Sequence, residues 1–113
     1  MIIAYQGERG AYSEAACLEY IKYNRIKEPV ETLACSSFQQ VFESLKSRQC
    51  QYAFLPIENT LGGSIHDNYD LFLRYDCHII GEYTFRVRHC LMCLDDGIED
   101  ISINNIKLVL SHP

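Results

Sequence analysis

The chain of 113 residues carries a formal net charge of −5, with 48% apolar and 22% charged residues. This length suffices for one compact domain but is short for a two-lobed enzyme, and the composition excludes a disordered segment. The apolar runs are far shorter than the roughly 20 residues of a membrane span, and the acidity argues against a basic nucleic-acid-binding face.

The first strand–helix unit begins at residues 2–5, which form an apolar strand pattern. A polar, glycine-bearing loop follows, and Ser13 can cap the next helix. The core face of that helix is predicted from residues at helical spacing, namely Ala15, Leu18 and Ile21.

The second unit has a clearer pattern. Residues 30–35 read as a strand, and Ser37 with Gln40 three residues later forms a capping-box pattern. Apolar residues then recur at i, i+3, i+4 and i+7, which predicts one buried stripe made of Phe38, Val41, Phe42 and Leu45.

The third unit opens with residues 52–57, a nearly continuous apolar run that is typical of a parallel strand covered on both faces. Residues 59–63 turn the chain, and Ser64 with Asp67 predicts another helix cap. The core face of this helix is assigned to Ile65, Tyr69, Phe72 and Leu73.

Strand–helix alternation with short connections predicts an α/β fold with a parallel sheet and right-handed crossovers. Ligands bind outside the carboxyl ends of such strands, where the three loops would meet. Residues 78–94 form a long β-type stretch, predicted as a crossover into a second lobe, and residues 107–110 begin another strand. The expected division is a first lobe at 1–77 and the beginning of a second at 78–113.

The six cysteines are predicted to be reduced, mostly buried thiols in a reducing compartment. Cys90 and Cys93 would lie three apart on a strand and therefore on opposite faces, which is poor geometry for zinc. No second C-x-x-C and no clustered ligand spacing occur, so no metal site is expected.

Several ordered motifs resemble the prephenate dehydratase family, whose plant members are arogenate dehydratases. They are Gly7-Glu8-Arg9-Gly10-Ala11-Tyr12-Ser13-Glu14-Ala15-Ala16, Leu55-Pro56-Ile57-Glu58-Asn59-Thr60-Leu61-Gly62-Gly63-Ser64-Ile65, Asn68-Tyr69-Asp70-Leu71, Gly81-Glu82, His89-Cys90-Leu91 and Ser111-His112-Pro113. The family usually has serine in place of Thr60, which keeps the hydroxyl. Its Thr-Arg-Phe motif and regulatory ACT domain would lie beyond residue 113, so the isolated chain is expected to be inactive.

The resemblance implies loss of a ring carboxylate as carbon dioxide and of a ring hydroxyl as water, in L-phenylalanine biosynthesis. Aromatisation drives this reaction, so no cofactor or metal is expected. The resemblance further implies prephenate or arogenate as substrate and a homo-oligomer at full length. No secretory signal is visible, so a cytoplasmic location is expected, or the plastid stroma if a transit peptide has been removed.

Candidate substrate-binding residues fall on the loop–helix junctions and on family-matched positions: Gly7, Ser13, Ser37, Glu58, Asn59, Thr60, Gly62, Gly63, His89 and His112. Helix N-termini suit carboxylates, and paired glycines permit close backbone approach. Helix capping alone is the alternative for Ser37. A structural hydrogen bond is the alternative for Glu58, and a packing role is the alternative for each histidine.

Two other functions remain open at this stage. Strand–helix lobes joined by crossovers are similar to type II periplasmic binding proteins, so a carboxylate-binding module is one alternative. A non-catalytic remnant that pairs with a full-length subunit is the other. A dinucleotide site is not expected, since residues 7–10 lack the G-x-G-x-x-G spacing.

Overall fold

The computed structural model describes residues 1–95, 97 and 102–111. It contains β1 (Ile2–Gln6), α1 (Tyr12–Tyr23), β2 (Glu31–Cys35), α2 (Phe38–Lys46), β3 (Tyr52–Phe54), β4 (Glu58–Asn59), β5 (Gly63–Ser64) and α3 (His66–Arg74), followed by a 3-10 turn at Ile103–Asn105. The predicted α/β class is therefore confirmed.

The main sheet has three parallel strands in the order β2-β1-β3. The chain leaves β1 for β2 on one side, then returns past β1 to β3 on the other. Ligands of open α/β sheets bind at such a reversal, outside the carboxyl ends of the strands. A ligand site is therefore expected at the edge of the sheet where β1 and β3 end.

The two faces of β1 contact different helices because side chains alternate along a strand. Ala4 clusters with Val41 of α2 in one buried group. Its neighbour Tyr5, 1% exposed, contacts Glu14 of α1 on the opposite face. The sheet is consequently covered on one face by α2 and on the other by α1.

The predicted stripe of α2 is confirmed, and it serves two neighbours. Val41 packs against the sheet beside Cys35 and Cys50. Phe42 faces α3 and stacks on Tyr75 with ring centroids 5.3 Å apart. Because both side chains are fully buried, α2 is the element that joins the sheet to α3.

Two predicted helix caps are wrong, the predicted core face of α1 is wrong, and that of α3 is only partly correct. Ser13 lies inside α1, whose N-cap is Ala11, and Ser64 lies in β5, ahead of the Ile65 N-cap of α3; neither cap residue makes a side-chain capping bond. In α1 the buried residues are Glu14, Ala16 and Cys17, while Leu18 is half exposed.

In α3, the predicted core residue Phe72 packs edge-on against Phe42, but the buried residues are Asn68 and Leu71, and Leu73 is 88% exposed. Helical spacing was predicted correctly in both cases, but the buried face of each helix is rotated relative to the predicted one. Each buried face includes a polar residue that hydrophobicity alone assigns to solvent.

The region after residue 77 also differs from prediction. Over the described part of 78–94 and at 107–110 no strand forms, and β3 ends at Phe54 rather than at residue 57. Residues 81–89 run instead across α1, where Tyr83 donates a 3.0 Å hydrogen bond to Glu19 Oε2 and packs against Tyr20. Among the described residues, no helix has the length and apolar character needed to cross a bilayer.

Candidate active site

The turn at 59–63 is a small hairpin in which β4 pairs antiparallel with β5. Asn59 Oδ1 accepts hydrogen bonds from the backbone N–H groups of Leu61 (2.9 Å) and Gly62 (3.2 Å). This side-chain turn uses the oxygen of Asn59 and leaves its amide N–H groups for other partners. The hairpin is exposed to solvent along its length.

The two hairpin glycines differ in what they require. Gly63 has a φ of +73°, a left-handed conformation that favours glycine, and a Cβ placed there would meet open space. Gly62 has no positive φ, and its Cβ would make ordinary contact with the Asn59 side chain at 3.8 Å. Of the two, only Gly63 adopts a backbone conformation that requires glycine.

Asn68 is a buried polar residue of α3 that contacts the segment before the hairpin, and it was not predicted from the sequence. It is fully buried, and its Nδ2 donates a 2.7 Å hydrogen bond to the carbonyl of Pro56. A second link joins Ile65 N–H to the Ile57 carbonyl at 2.9 Å. The Asn68 bond therefore ties the segment before the hairpin to α3, and the Ile65–Ile57 bond closes the base of the hairpin. The sequence feature that could have indicated this role is the position of Asn68, a polar residue on the core-facing side of α3.

The first loop–helix junction contains its own carboxylate. Glu14, 8% exposed, accepts hydrogen bonds from Gly10 N–H at 2.6 Å and from Thr32 Oγ1 at 2.8 Å. The Gly10 bond, followed by the Thr32 bond, lowers the pKa of Glu14. Burial, followed by the charge of Glu14, raises the pKa of Tyr5. The expectation that this helix end awaits a substrate carboxylate is weakened, because Glu14 already supplies a negative charge.

Gly7 and Ser37 have local structural roles. Gly7 has a φ of +122°, and a Cβ there would approach Ala11 Cβ to 3.1 Å. Ser37 Oγ accepts from Gln40 N–H at 3.1 Å, which confirms the predicted cap. The return bond of the predicted capping box is shifted by one residue, since Gln40 Oε1 accepts from Ser36 N–H at 2.7 Å.

An open cleft of about 2230 Å³ is lined by residues of α1, α2 and α3, by the whole of β3, by the hairpin and by most of residues 75–89. It is larger than the 300–1,000 Å³ or so of a typical small-molecule pocket. Five of the ten candidate residues line it: Ser13, Glu58, Asn59, Thr60 and His89. Gly7, Ser37, Gly62 and Gly63 are not among its lining residues, and His112 lies outside the described residues.

The cysteines only partly follow the prediction. All six are free thiols; Cys17, Cys35 and Cys50 are buried, whereas Cys90 and Cys93 are exposed in a segment without strand structure. The expected argument from opposite strand faces therefore does not apply to that pair. Within the described residues, no group of three or more potential metal-binding side chains comes together.

A parallel sheet flanked by helices, with polar side chains among the residues that line an open cleft along β3, is typical of proteins that act on or bind small molecules. Comparison with known sequences shows to which family of such proteins the chain belongs. The chain belongs to the prephenate dehydratase family, because the family profile described as "Prephenate dehydratase" matches residues 3–113.

Curated relatives agree with this assignment. The chain is 44% identical over 111 residues to "Arogenate dehydratase/prephenate dehydratase 2, chloroplastic" of Arabidopsis thaliana and 45% identical to "Arogenate dehydratase 2" of Petunia hybrida. Each alignment covers 98% of this chain and 26% of the relative. The chain thus spans about a quarter of the length of the curated relatives it matches.

Proposed function

We propose that the protein to which this chain belongs is a prephenate or arogenate dehydratase in L-phenylalanine biosynthesis. It removes the ring carboxylate as carbon dioxide and the ring hydroxyl as water, giving phenylpyruvate from prephenate or phenylalanine from arogenate. The observation that carries this proposal is the family match over residues 3–113, which includes the five candidate residues that line the cleft.

The hairpin and its surroundings supply the substrate contacts in this proposal. Asn59 has its amide N–H groups to donate, since its oxygen is bound within the turn. The Thr60 hydroxyl and the His89 ring line the same cleft, and Ser13 lies at the start of α1. These groups suit a polar, anionic substrate. Glu58 fits beside it when protonated or paired.

The remaining candidates act through the backbone. Gly62 and Gly63 shape the hairpin so that substrate approaches its main chain, and Gly7 and Ser37 shape the neighbouring loops. His112 contributes from the second lobe. That lobe begins within residues 78–113, while residues 1–77 form the first, in an arrangement like that of type II periplasmic binding proteins. We place the whole protein, a homo-oligomer, in the plastid stroma or the cytoplasm.

The test uses the whole protein with prephenate and with arogenate, following phenylpyruvate and phenylalanine. Thr60→Val should lower kcat/KM by about tenfold or more, because a hydrogen bond to a charged group contributes about 1.5–3 kcal/mol. Thr60→Ser keeps the hydroxyl and should remain near the wild-type value. Absence of turnover with either substrate would overturn the proposal. Substrate binding by calorimetry without turnover would favour the carboxylate-binding module instead.

A further inference from the structure

The side chain of Tyr12 joins the start of α1 to the segment that crosses it. Its hydroxyl lies 2.9 Å from the Arg88 carbonyl oxygen and 3.2 Å from His89 Nδ1. The tyrosine ring meets the imidazole edge-on at 77°, with centroids 5.7 Å apart. Phe85 packs on the Tyr12 ring, with the two ring centroids 6.1 Å apart. Tyr12 and His89 both line the cleft.

The direction of these two hydrogen bonds follows from counting protons. A phenol has one proton to donate, and a backbone carbonyl only accepts. The proton of Tyr12 is therefore used on Arg88, as its 2.9 Å distance indicates. The bond to His89 then requires that the imidazole donate, with its proton on Nδ1 and the lone pair of the Tyr12 oxygen accepting.

We propose that Tyr12 is a positioning residue that fixes the Nδ1–H tautomer of His89 and leaves Nε2 as the nitrogen that meets the substrate. Within the described part of the chain, Nε2 has no hydrogen-bond partner. In the neutral ring Nε2 accepts from a substrate hydroxyl, and in the protonated ring it donates to an oxygen anion. The role toward substrate rests on the proposed dehydratase function, whereas the tautomer does not.

The tautomer is measured on this 113-residue chain by nitrogen-15 NMR of its imidazoles at about pH 8.5, where histidine is ordinarily neutral. Free neutral histidine favours the proton on Nε2, so the proposed tautomer has a distinct spectral signature. His89 should show Nδ1–H, and Tyr12→Phe should convert it to mainly Nε2–H. His66 and His78, in the same spectrum, should not change. An Nε2–H ring in the wild type, or no conversion in Tyr12→Phe, would overturn the proposal.

Phe85→Leu is the matched control, because it removes a ring contact and retains the phenol hydroxyl. It should keep the wild-type tautomer, and an equal conversion would assign the effect to packing. These spectra need no substrate, so they stand apart from the proposed activity. In the whole protein, Tyr12→Phe should lower kcat/KM about tenfold and alter its pH profile. An unchanged profile in an active enzyme would overturn the role toward substrate.

Discussion

The carboxylate of Glu14 lies 2.8 Å from Thr32 Oγ1, so that a side chain of α1 accepts a hydrogen bond from β2. Gly10 N–H donates to the same carboxylate at 2.6 Å. A charged group therefore ties together the first loop, the first helix and an edge strand. Both donors favour the ionised form, and this is the cause of the lowered pKa of Glu14.

The sign of the resulting pH dependence follows from linkage. The pKa of Glu14 is lower in the folded chain than its ordinary value of 4.5. Its contribution to stability is present above that value and is lost as the pH falls through the lower folded pKa. We expect the free energy of unfolding, measured by urea titration, to drop below about pH 4.5. Glu14→Gln should be less stable at pH 7, and its difference from wild type should shrink as the pH falls.

A matched pair at Thr32 separates the hydrogen bond from other effects. Thr32→Val removes the hydroxyl at nearly constant shape and should cost about 1 kcal/mol at pH 7. Thr32→Ser retains the donor and should lose less. A constant difference between Glu14→Gln and wild type from pH 7 to pH 3 would contradict this account of Glu14.

Asn68 provides a second stability prediction. Its Nδ2 donates to Pro56, while its Oδ1 is buried without a hydrogen-bond partner among the described residues. Asn68→Ala should destabilise the chain by about 1–2 kcal/mol, because it removes a fully buried side chain and leaves the partly buried Pro56 carbonyl without its donor. Asn68→Asp should cost more, since a carboxylate would face the Pro56 oxygen. Urea unfolding measures both, and an Asp variant as stable as wild type would show that Asn68 is not packed this way.

The periodicity of the sequence was sufficient to predict the α/β class and the α2 stripe, but not which face of α1 or α3 is buried. Val41 and Phe42 are apolar, so their burial follows from pattern alone. Glu14 and Asn68 are buried because partners distant in the sequence, Thr32 and Pro56, satisfy them. Such pairings across 18 and 12 residues leave no local signature.

The candidate site shows the same division. The motif around Asn59 follows β3 as predicted, but residues 55–57 separate it from the end of that strand; Thr60 lines the cleft. The contact between Tyr12 and His89 could not be predicted, because the two residues are 77 positions apart in the sequence. From the sequence, Tyr12 was only one member of a family motif. The strand expected at 78–94 did not form, since an apolar alternation specifies a strand only when another strand is present to pair with it.

The thiols give a test of packing. Cys17 is fully buried, and burial raises its pKa to about 11. Cys90 and Cys93 are exposed. At about pH 8, iodoacetamide should alkylate the exposed pair quickly and Cys17 slowly, because the thiolate is the reactive form. Mass spectrometry of peptides locates the label, and the same reaction in urea is the control. Equal rates for Cys17 and Cys90 in the folded chain would contradict the packing of α1.

The hairpin glycines give the last prediction. Gly63→Ala places a side chain in a left-handed conformation, which costs about 1–2 kcal/mol, whereas Gly62→Ala should change the free energy of unfolding little. Urea titration of the two variants measures this contrast. Equal destabilisation would mean that the positive φ of Gly63 is not what the turn requires.

Gly63→Asn then separates the turn from the substrate. Asparagine tolerates the left-handed conformation, so this variant should recover part of the stability lost in Gly63→Ala. Its side chain enters the open space beside Gly63, where substrate would approach the backbone. If the glycine serves substrate, kcat/KM of the whole protein should fall in Gly63→Asn despite the recovered stability. Wild-type kinetics in Gly63→Asn would show that Gly63 serves the turn alone, and Gly63 would no longer count as a substrate-binding residue.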